Sequence, residues 1–291
     1  MRRLIINADD FGMTAGVNRA IVEAHHAGLI TSASVMANEP ATNDAISIAS
    51  RTPSLRTGCH IVLVDGRPLS KPEAVLTLVG SRNGSGASFR RGISQLAIAS
   101  FAGQVRAADV RSEAAAQISS LQAGGLALSH VDCHMHSHIL PPVLRAVLQA
   151  AYDHGVKAVR NPFEPAWSVA ATHKNSSLRS WSRSTQVTVL RSLQPQFCSA
   201  VKQHGMKTSD GTIGIAATGL LDRELLTRLV EAMPEGTWEL VSHPGYKDRA
   251  LIEASTELKQ SRVVELELLT SSETVDLLHK RDIQLINYSD L

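Results

Sequence analysis

The sequence predicts an α/β fold, a mostly parallel sheet covered by helices, on three observations. Short apolar runs ending in polar residues alternate with segments of helical periodicity. Neither glycine-rich phosphate fingerprint is present, which weighs against a dinucleotide-binding version of such a fold. No linker or internal repeat divides the 291 residues, so 1–291 reads as a single domain.

The elements follow in order. Leu4–Ala8 reads as a first strand. Val17, Ala20, Ile21 and Ala24 share one helical face, closed by Gly28. Ile30–Met36 and Arg56–Leu63 are further strands, and Ser81–Ser88, rich in Gly and Ser, reads as a flexible loop. A helix from Val110 to Leu121 precedes a strand over Leu126–Asp132. Pro141–His154 is helical, with proline acceptable in its first turn. Val156–Arg160 is a short strand, Leu221–Met233 a helix and Trp238–Ser242 a strand. Two helical stretches lie between Glu257 and Lys280, before a last strand at Ile283–Ile286. A barrel and an open doubly wound sheet both satisfy this pattern.

Composition narrows the function classes. Hydrophobic residues make up 43% and aromatics 4%, which predicts a substantial aliphatic core. A net charge of +2 gives no argument for nucleic acid. No run of about 18 apolar residues suggests a transmembrane helix, and the N-terminal apolar run is too short for a signal peptide. Three cysteines without a CxxC pair argue against a disulfide framework and predict a reducing, cytoplasmic setting.

The polar residues fall at informative places. In an α/β barrel the C-terminal strand ends meet on one face, where active sites are built. That assumption gathers Asp9 and Asp10, His60, the His130–His138 segment, Arg160 and His243 from across the chain. Asp9-Asp10 could divide cation binding and proton acceptance, although an isolated pair would as readily cap a helix. If extended, the run from His130 to His138 puts His130, Asp132, His134, His136 and His138 on one side. Imidazole is the commonest metal ligand, but the cluster does not say which ring binds. Ser242–Tyr246 ends a strand in a Pro-Gly turn, so His243 is either a proton donor or a bystander.

At these residues the sequence resembles a known family. NADDFG (Asn7–Gly12), GCH (Gly58–His60), HVDCHMHSH (His130–His138) and SHPGY (Ser242–Tyr246) match the YdjC-like carbohydrate deacetylases in order and spacing, from Arg3 to near Leu291. The closer resemblance is to the branch associated with hopanoid biosynthesis. It rests on His60–Pro68, Ala158–Glu164 and the closing Tyr288–Leu291.

The resemblance implies a distorted (β/α) barrel, TIM-like and related to polysaccharide deacetylases. It implies Asp10, His60 and His134 as metal ligands, Asp9 as catalytic base and His243 as the acid-side group. Cys133 stands where serine is usual. One divalent metal is expected; the ligand types suit zinc, cobalt or iron, and the family is associated with magnesium. Arg160 would either orient Asp9 or hold a substrate hydroxyl, and His136, His138 and Asp132 are further candidates for substrate contact. The implied activity is hydrolysis of the N-acetyl group of an N-acetylglucosaminyl substrate, a glycosylated hopanoid lipid.

Rival functions are deacetylation of soluble chitooligosaccharides, metal-free glycoside hydrolysis by paired carboxylates, a two-metal phosphoesterase and a non-catalytic sugar-binding barrel. From Pro165 to Ser209 there is no Asp or Glu. That stretch holds Lys174, Arg179, Arg183, Arg191, Lys202 and Lys207 beside Trp167, Trp181, Val187, Leu190, Leu193, Phe197 and Val201. It reads either as peripheral contact with the inner face of an anionic membrane or as an ordinary helix over the barrel. The sequence does not report oligomeric state; a homodimer is compatible with it.

Overall fold

Strand β1 (Arg2–Phe11) is the axis of the molecule, and every residue from Leu4 to Phe11 is buried. A strand covered on both faces has no polar side to show, which accounts for its continuous apolar run. The structure is a computed structural model describing residues 1–83, 86–173 and 190–291.

Around β1 lie β2 (Ser32–Val35), β3 (Arg56–Ile61), β6 (Val131–Cys133), β7 (Gly211–Ile213), β8 (Gly236–Ser242) and β9 (Ile283–Leu285). They form one sheet in the order β6-β3-β2-β1-β8-β7, with β9 also on β1, and each of these pairings is parallel. The Gly/Ser-rich segment expected as a loop is instead part of an antiparallel hairpin, β4 (Val79–Asn83) and β5 (Gly86–Phe89). Its main-chain pairing does not depend on apolar alternation, the signal that strand recognition uses.

Among the described residues the α-helices are α1 (Ala15–His26), α2 (Thr42–Arg51), α3 (Gly92–Phe101), α4 (Ala107–Ala123), α5 (Pro141–Asp153), α6 (Ala166–His173), α7 (Gln194–Gln203), α8 (Arg223–Ala232), α9 (Arg249–Glu253), α10 (Gln260–Leu269) and α11 (Ser272–Lys280). Thr14 caps α1 by accepting the Val17 N–H at 3.1 Å. The core is aliphatic: Val110, Ile118 and Leu121 of α4 and Val143, Val147 and Leu148 of α5 are buried, and the two helices pack together. Each such side chain contributes about 1.5–3 kcal/mol when fully buried.

The expected strand at Val156–Arg160 is reduced to isolated bridges, Val131 with Val159 and Ala158 with Lys207. Farther along the same segment, the Phe163 carbonyl accepts the Thr212 N–H of β7 at 3.2 Å. One segment therefore touches β6 and β7, the two ends of the strand order, and the sheet is a curled, parallel half-barrel. The regular eightfold strand–helix repeat of a TIM-like barrel is not seen among the described residues.

Within the basic stretch, Phe197 and Val201 are buried in the core, and Trp167, Leu190 and Leu193 pack against it. Lys174, Arg179, Trp181, Arg183 and Val187 lie outside the described residues. No helix among the described residues is long and apolar enough to cross a membrane.

Candidate metal centre and active-site cleft

Two adjacent strand residues ordinarily face opposite sides. In β1 a bulge changes that. Ala8 pairs with Ala33 and Phe11 with Val35, so β1 takes one more residue than β2 across Asp9-Asp10. Asp10 has φ +65°, a left-handed conformation costing a non-glycine residue about 1–3 kcal/mol. Bulges re-aim side chains beside functional sites, and here both carboxylates line one cavity.

That cavity, about 650 Å³, opens at the C-terminal ends of the strands and is also lined by His60, His134, His136 and His243. His60 is on β3, His134 follows β6 and His243 follows β8.

Asp10, His60 and His134 converge. Asp10 Oδ1 lies 3.6 Å from His60 Nε2 and 3.5 Å from His134 Nδ1, and the two ring nitrogens are 3.3 Å apart. One ligand atom from each residue falls within 4.8 Å of the others. Asp10 Oδ1 is buried with no hydrogen-bond partner. His60 Nδ1 is 3.0 Å from Asp132 Oδ1, an arrangement that fixes the ring and turns Nε2 toward Asp10. One carboxylate and two imidazoles, with an unpaired oxygen at their meeting point, fit a divalent cation and leave positions open around it.

The electrostatics agree. Burial would lower the His60 pKa, yet Asp132, Asp9 and Asp10 raise it to about 9: the spot attracts positive charge. Burial raises Asp10, but Arg262 and His134 outweigh it and hold the carboxyl well below its usual range. Burial also raises Asp9, and Arg160 with His60 brings it below its usual range. Asp9 is thus an ionised carboxylate beside the triad.

Arg160 lies beneath it, wholly buried. It donates to Asp9 from Nη1 and Nη2 at 2.8 and 2.6 Å and from Nε to Glu239 at 2.8 Å, and it also pairs with Asp132. Glu239 further accepts from Tyr288 and Thr212. A second Asp/His group, Asp9, His60 and Asp132, also has cation-ligand spacing, but Arg160 pairs with both of its carboxylates.

The histidine run is not extended, contrary to expectation. β6 ends at Cys133 and the chain turns through left-handed Met135 and His136, both at φ +52°. The five polar side chains therefore do not share one side. His130 is buried, 3.7 Å from the Tyr288 ring in a stack, with Nε2 3.0 Å from Ser34 Oγ. His138 is buried with Nε2 at the Arg160 carbonyl, 3.1 Å away. Of the residues expected at the substrate, His136 lines the cavity, whereas Arg160, Asp132 and His138 are buried behind its wall. Burial lowers His136 to about 3, His138 to about 4 and His243 to about 4, so these rings are neutral near pH 7.

Three charged partners escaped the sequence reading: Glu239, Arg262 and Glu265. Arg262 pairs with Asp10, and Glu265 accepts the His243 N–H at 2.6 Å. The last two sit on α10, where they look like ordinary charges of a surface helix.

The sequence profile of the YdjC-like protein family matches residues 3–280. This chain belongs to the YdjC-like family. Among its YdjC-like relatives, a carbohydrate deacetylase of Brevibacillus brevis is 33% identical over 290 residues, covering 99% of each chain. One from Thermoanaerobacter pseudethanolicus is 31% identical over 294 residues, covering 100% of both. A mouse (Mus musculus) carbohydrate deacetylase is 33% identical over 253 residues, covering 84% of this chain and 78% of its own. A crystal structure from Enterococcus faecalis V583, described as a cellobiose-phosphate cleavage protein, has a TM-score of 0.73 at 25% identity and covers 99% of this chain and 98% of that one.

Proposed function

We propose that this YdjC-like protein is a metal-dependent carbohydrate deacetylase that hydrolyses the N-acetyl group of an N-acetylglucosaminyl substrate. The observation that carries the reading is an ionised carboxylate, Asp9, beside a separate Asp10–His60–His134 group in one cavity. The deacetylase names of the relatives support it.

Asp10, His60 and His134 would hold the cation. When bound, it supplies Lewis acidity, polarising the acetyl carbonyl and making water more acidic. Asp9 takes the proton of the attacking water as the new C–O bond forms, and Arg160 keeps Asp9 ionised and oriented. The C–N bond then breaks, and we assign to His243, neutral near pH 7, the relay of the proton that Asp9 took from water to the departing amine. Acetate and a free amino sugar result. The donor set suits zinc by ligand type; magnesium is the alternative that the family resemblance implies. We read the half-barrel and its bridging segment 158–163 as the distorted barrel of polysaccharide deacetylases.

For the substrate we favour a glycosylated hopanoid lipid over a soluble chitooligosaccharide. Beyond the charged floor the cavity wall carries an apolar patch, Ile93, Met135, Ile139, Phe163, Leu190 and Ile215, beside polar residues such as Asp65, Thr218, Glu257 and Lys259. Such a patch suits a hydrocarbon aglycone better than a second hydrated sugar. Contact with an anionic membrane through the basic stretch belongs to the same reading, and liposome co-sedimentation at low and high salt tests it.

The deciding experiment compares acetate release from an N-acetylglucosaminyl lipid and from chitobiose, with metal analysis of variants. Asp9→Asn is expected to keep the cation and lose turnover, and His134→Ala to lose both. Full activity in Asp9→Asn rejects Asp9 as base. Acetate release that survives complete chelation rejects the metal, and release of free sugar without acetate in chelator favours the glycosidase reading.

A further inference from the structure

Arg262, in the first turn of α10, is among the largest wholly buried side chains of the protein. It is fixed from several directions. Its Nη2 pairs with Asp10 Oδ2 and lies 3.7 Å from Met13 Sδ. Its Nε donates to the Leu258 carbonyl at 2.9 Å, and its own carbonyl accepts the Gly245 N–H at 3.1 Å. One carboxylate is thereby divided: Asp10 Oδ2 faces a cation belonging to the protein, and Oδ1 faces the two imidazoles.

The division has two effects of opposite sign. A buried carboxylate without a partner is costly and would disorder or unfold its surroundings; Arg262 removes that cost when no metal is bound. The same charge repels a second cation. The formal charges of Asp10 and Arg262 cancel. The field that draws a cation in must then come from Asp9, Asp132 and Glu239, which outnumber Arg160.

We propose that Arg262 is a positioning residue acting as the resident counter-ion of Asp10, holding the ligand in place in the cation-free protein and weakening cation affinity so that the ion exchanges. This rests on the metal-centre reading of Asp10, His60 and His134. A residue that merely braces the fold would give weaker binding, or none, when removed. A competing counter-ion gives tighter binding when removed, because the bare carboxylate then has only the metal to pair with.

The test is calorimetric titration of chelator-stripped protein with Zn²⁺ alone, alongside thermal unfolding of the stripped and loaded forms. Arg262→Met is expected to bind Zn²⁺ about tenfold tighter or more than the parent. Its stripped form should melt lower, with the gap closing as Zn²⁺ is added. Arg262→Lys, which keeps the charge, should bind within about threefold of the parent. Equal or weaker binding by Arg262→Met overturns the proposal while leaving the metal centre intact. Absence of binding by the parent itself overturns the metal centre and the proposal with it. Should Arg262→Met fail to fold in either form, Arg262→Gln carries the same titration with the same two outcomes.

Discussion

Arg160 and Asp9 meet as a planar fork and a carboxylate, with Nη1 to Oδ2 at 2.8 Å and Nη2 to Oδ1 at 2.6 Å. Neither side chain can rotate without breaking both bonds, so the base points one way. Lysine would keep the charge and lose the fork. Arg160→Lys should therefore lower kcat about tenfold to a hundredfold with little change in KM. Arg160→Met, which strands Asp9, Asp132 and Glu239 as buried charges, should cost about 3–5 kcal/mol of stability. Steady-state acetate release and urea unfolding check the two; wild-type kcat in Arg160→Lys would remove the orienting role.

Asp132 reaches the same chemistry through His60. Its Oδ1, 3.0 Å from Nδ1, fixes the ring that faces Asp10. Asp132→Asn should weaken cation binding about tenfold to a hundredfold. Direct metal titration measures this, and unchanged affinity would show that the ring is held by packing alone.

Gly58 leaves room for a ring. A Cβ there would stand 2.4 Å from Cε1 of His130, which Tyr288 stacks from its own side. Gly58→Ala must displace either the imidazole or β3, two residues before His60. About 1–3 kcal/mol of destabilisation is expected from overpacking, together with reduced turnover. A melting temperature equal to wild type would mean that the ring moves freely.

Glu265 makes stability depend on pH. Burial raises its carboxyl from an ordinary 4.5 to about 7, against the lowering effects of the His243 N–H and Arg262. The folded state prefers the protonated acid, so its contribution is complete below pH 4.5 and is lost as pH rises through about 7. The full span is about 3 kcal/mol. In chelator, Glu265→Gln should remove this downward slope and gain on the parent above about pH 7. Urea titrations across that range measure the difference, and parallel curves for the two proteins would refute it.

Much of the scaffold was legible because it depends on local periodicity. Leu4–Ala8 is the middle of β1, and Trp238–Ser242 and Pro141–His154 nearly coincide with β8 and α5. Legibility failed where backbone pairing or tertiary context decided the outcome. The β4–β5 hairpin has no apolar alternation, α2 has no side-chain cap, and α3 has neither a side-chain cap nor a charged residue in its end turns. Pro195 lies in the first turn of α7, where its missing N–H is harmless. At the site, the motif residues Asp9, Asp10, His60, His134 and His243 do converge on one cavity. What periodicity could not show was the bulge that turns Asp10, the left-handed turn that scatters the histidines, or Arg262 and Glu239, brought in from distant strands and helices.

The parallel ladder around β1 depends on strands far away in sequence. Its partners β8 and β9 are translated near the other end of the chain, and loop closure on that scale is slow. During synthesis Asp9 and Asp10 wait beside an incomplete sheet until the last strands dock. A chain truncated before β8 would keep Asp10, His60 and His134 yet lose the strand that flanks Asp9 and Asp10, and it should bind the cation more weakly than the full chain.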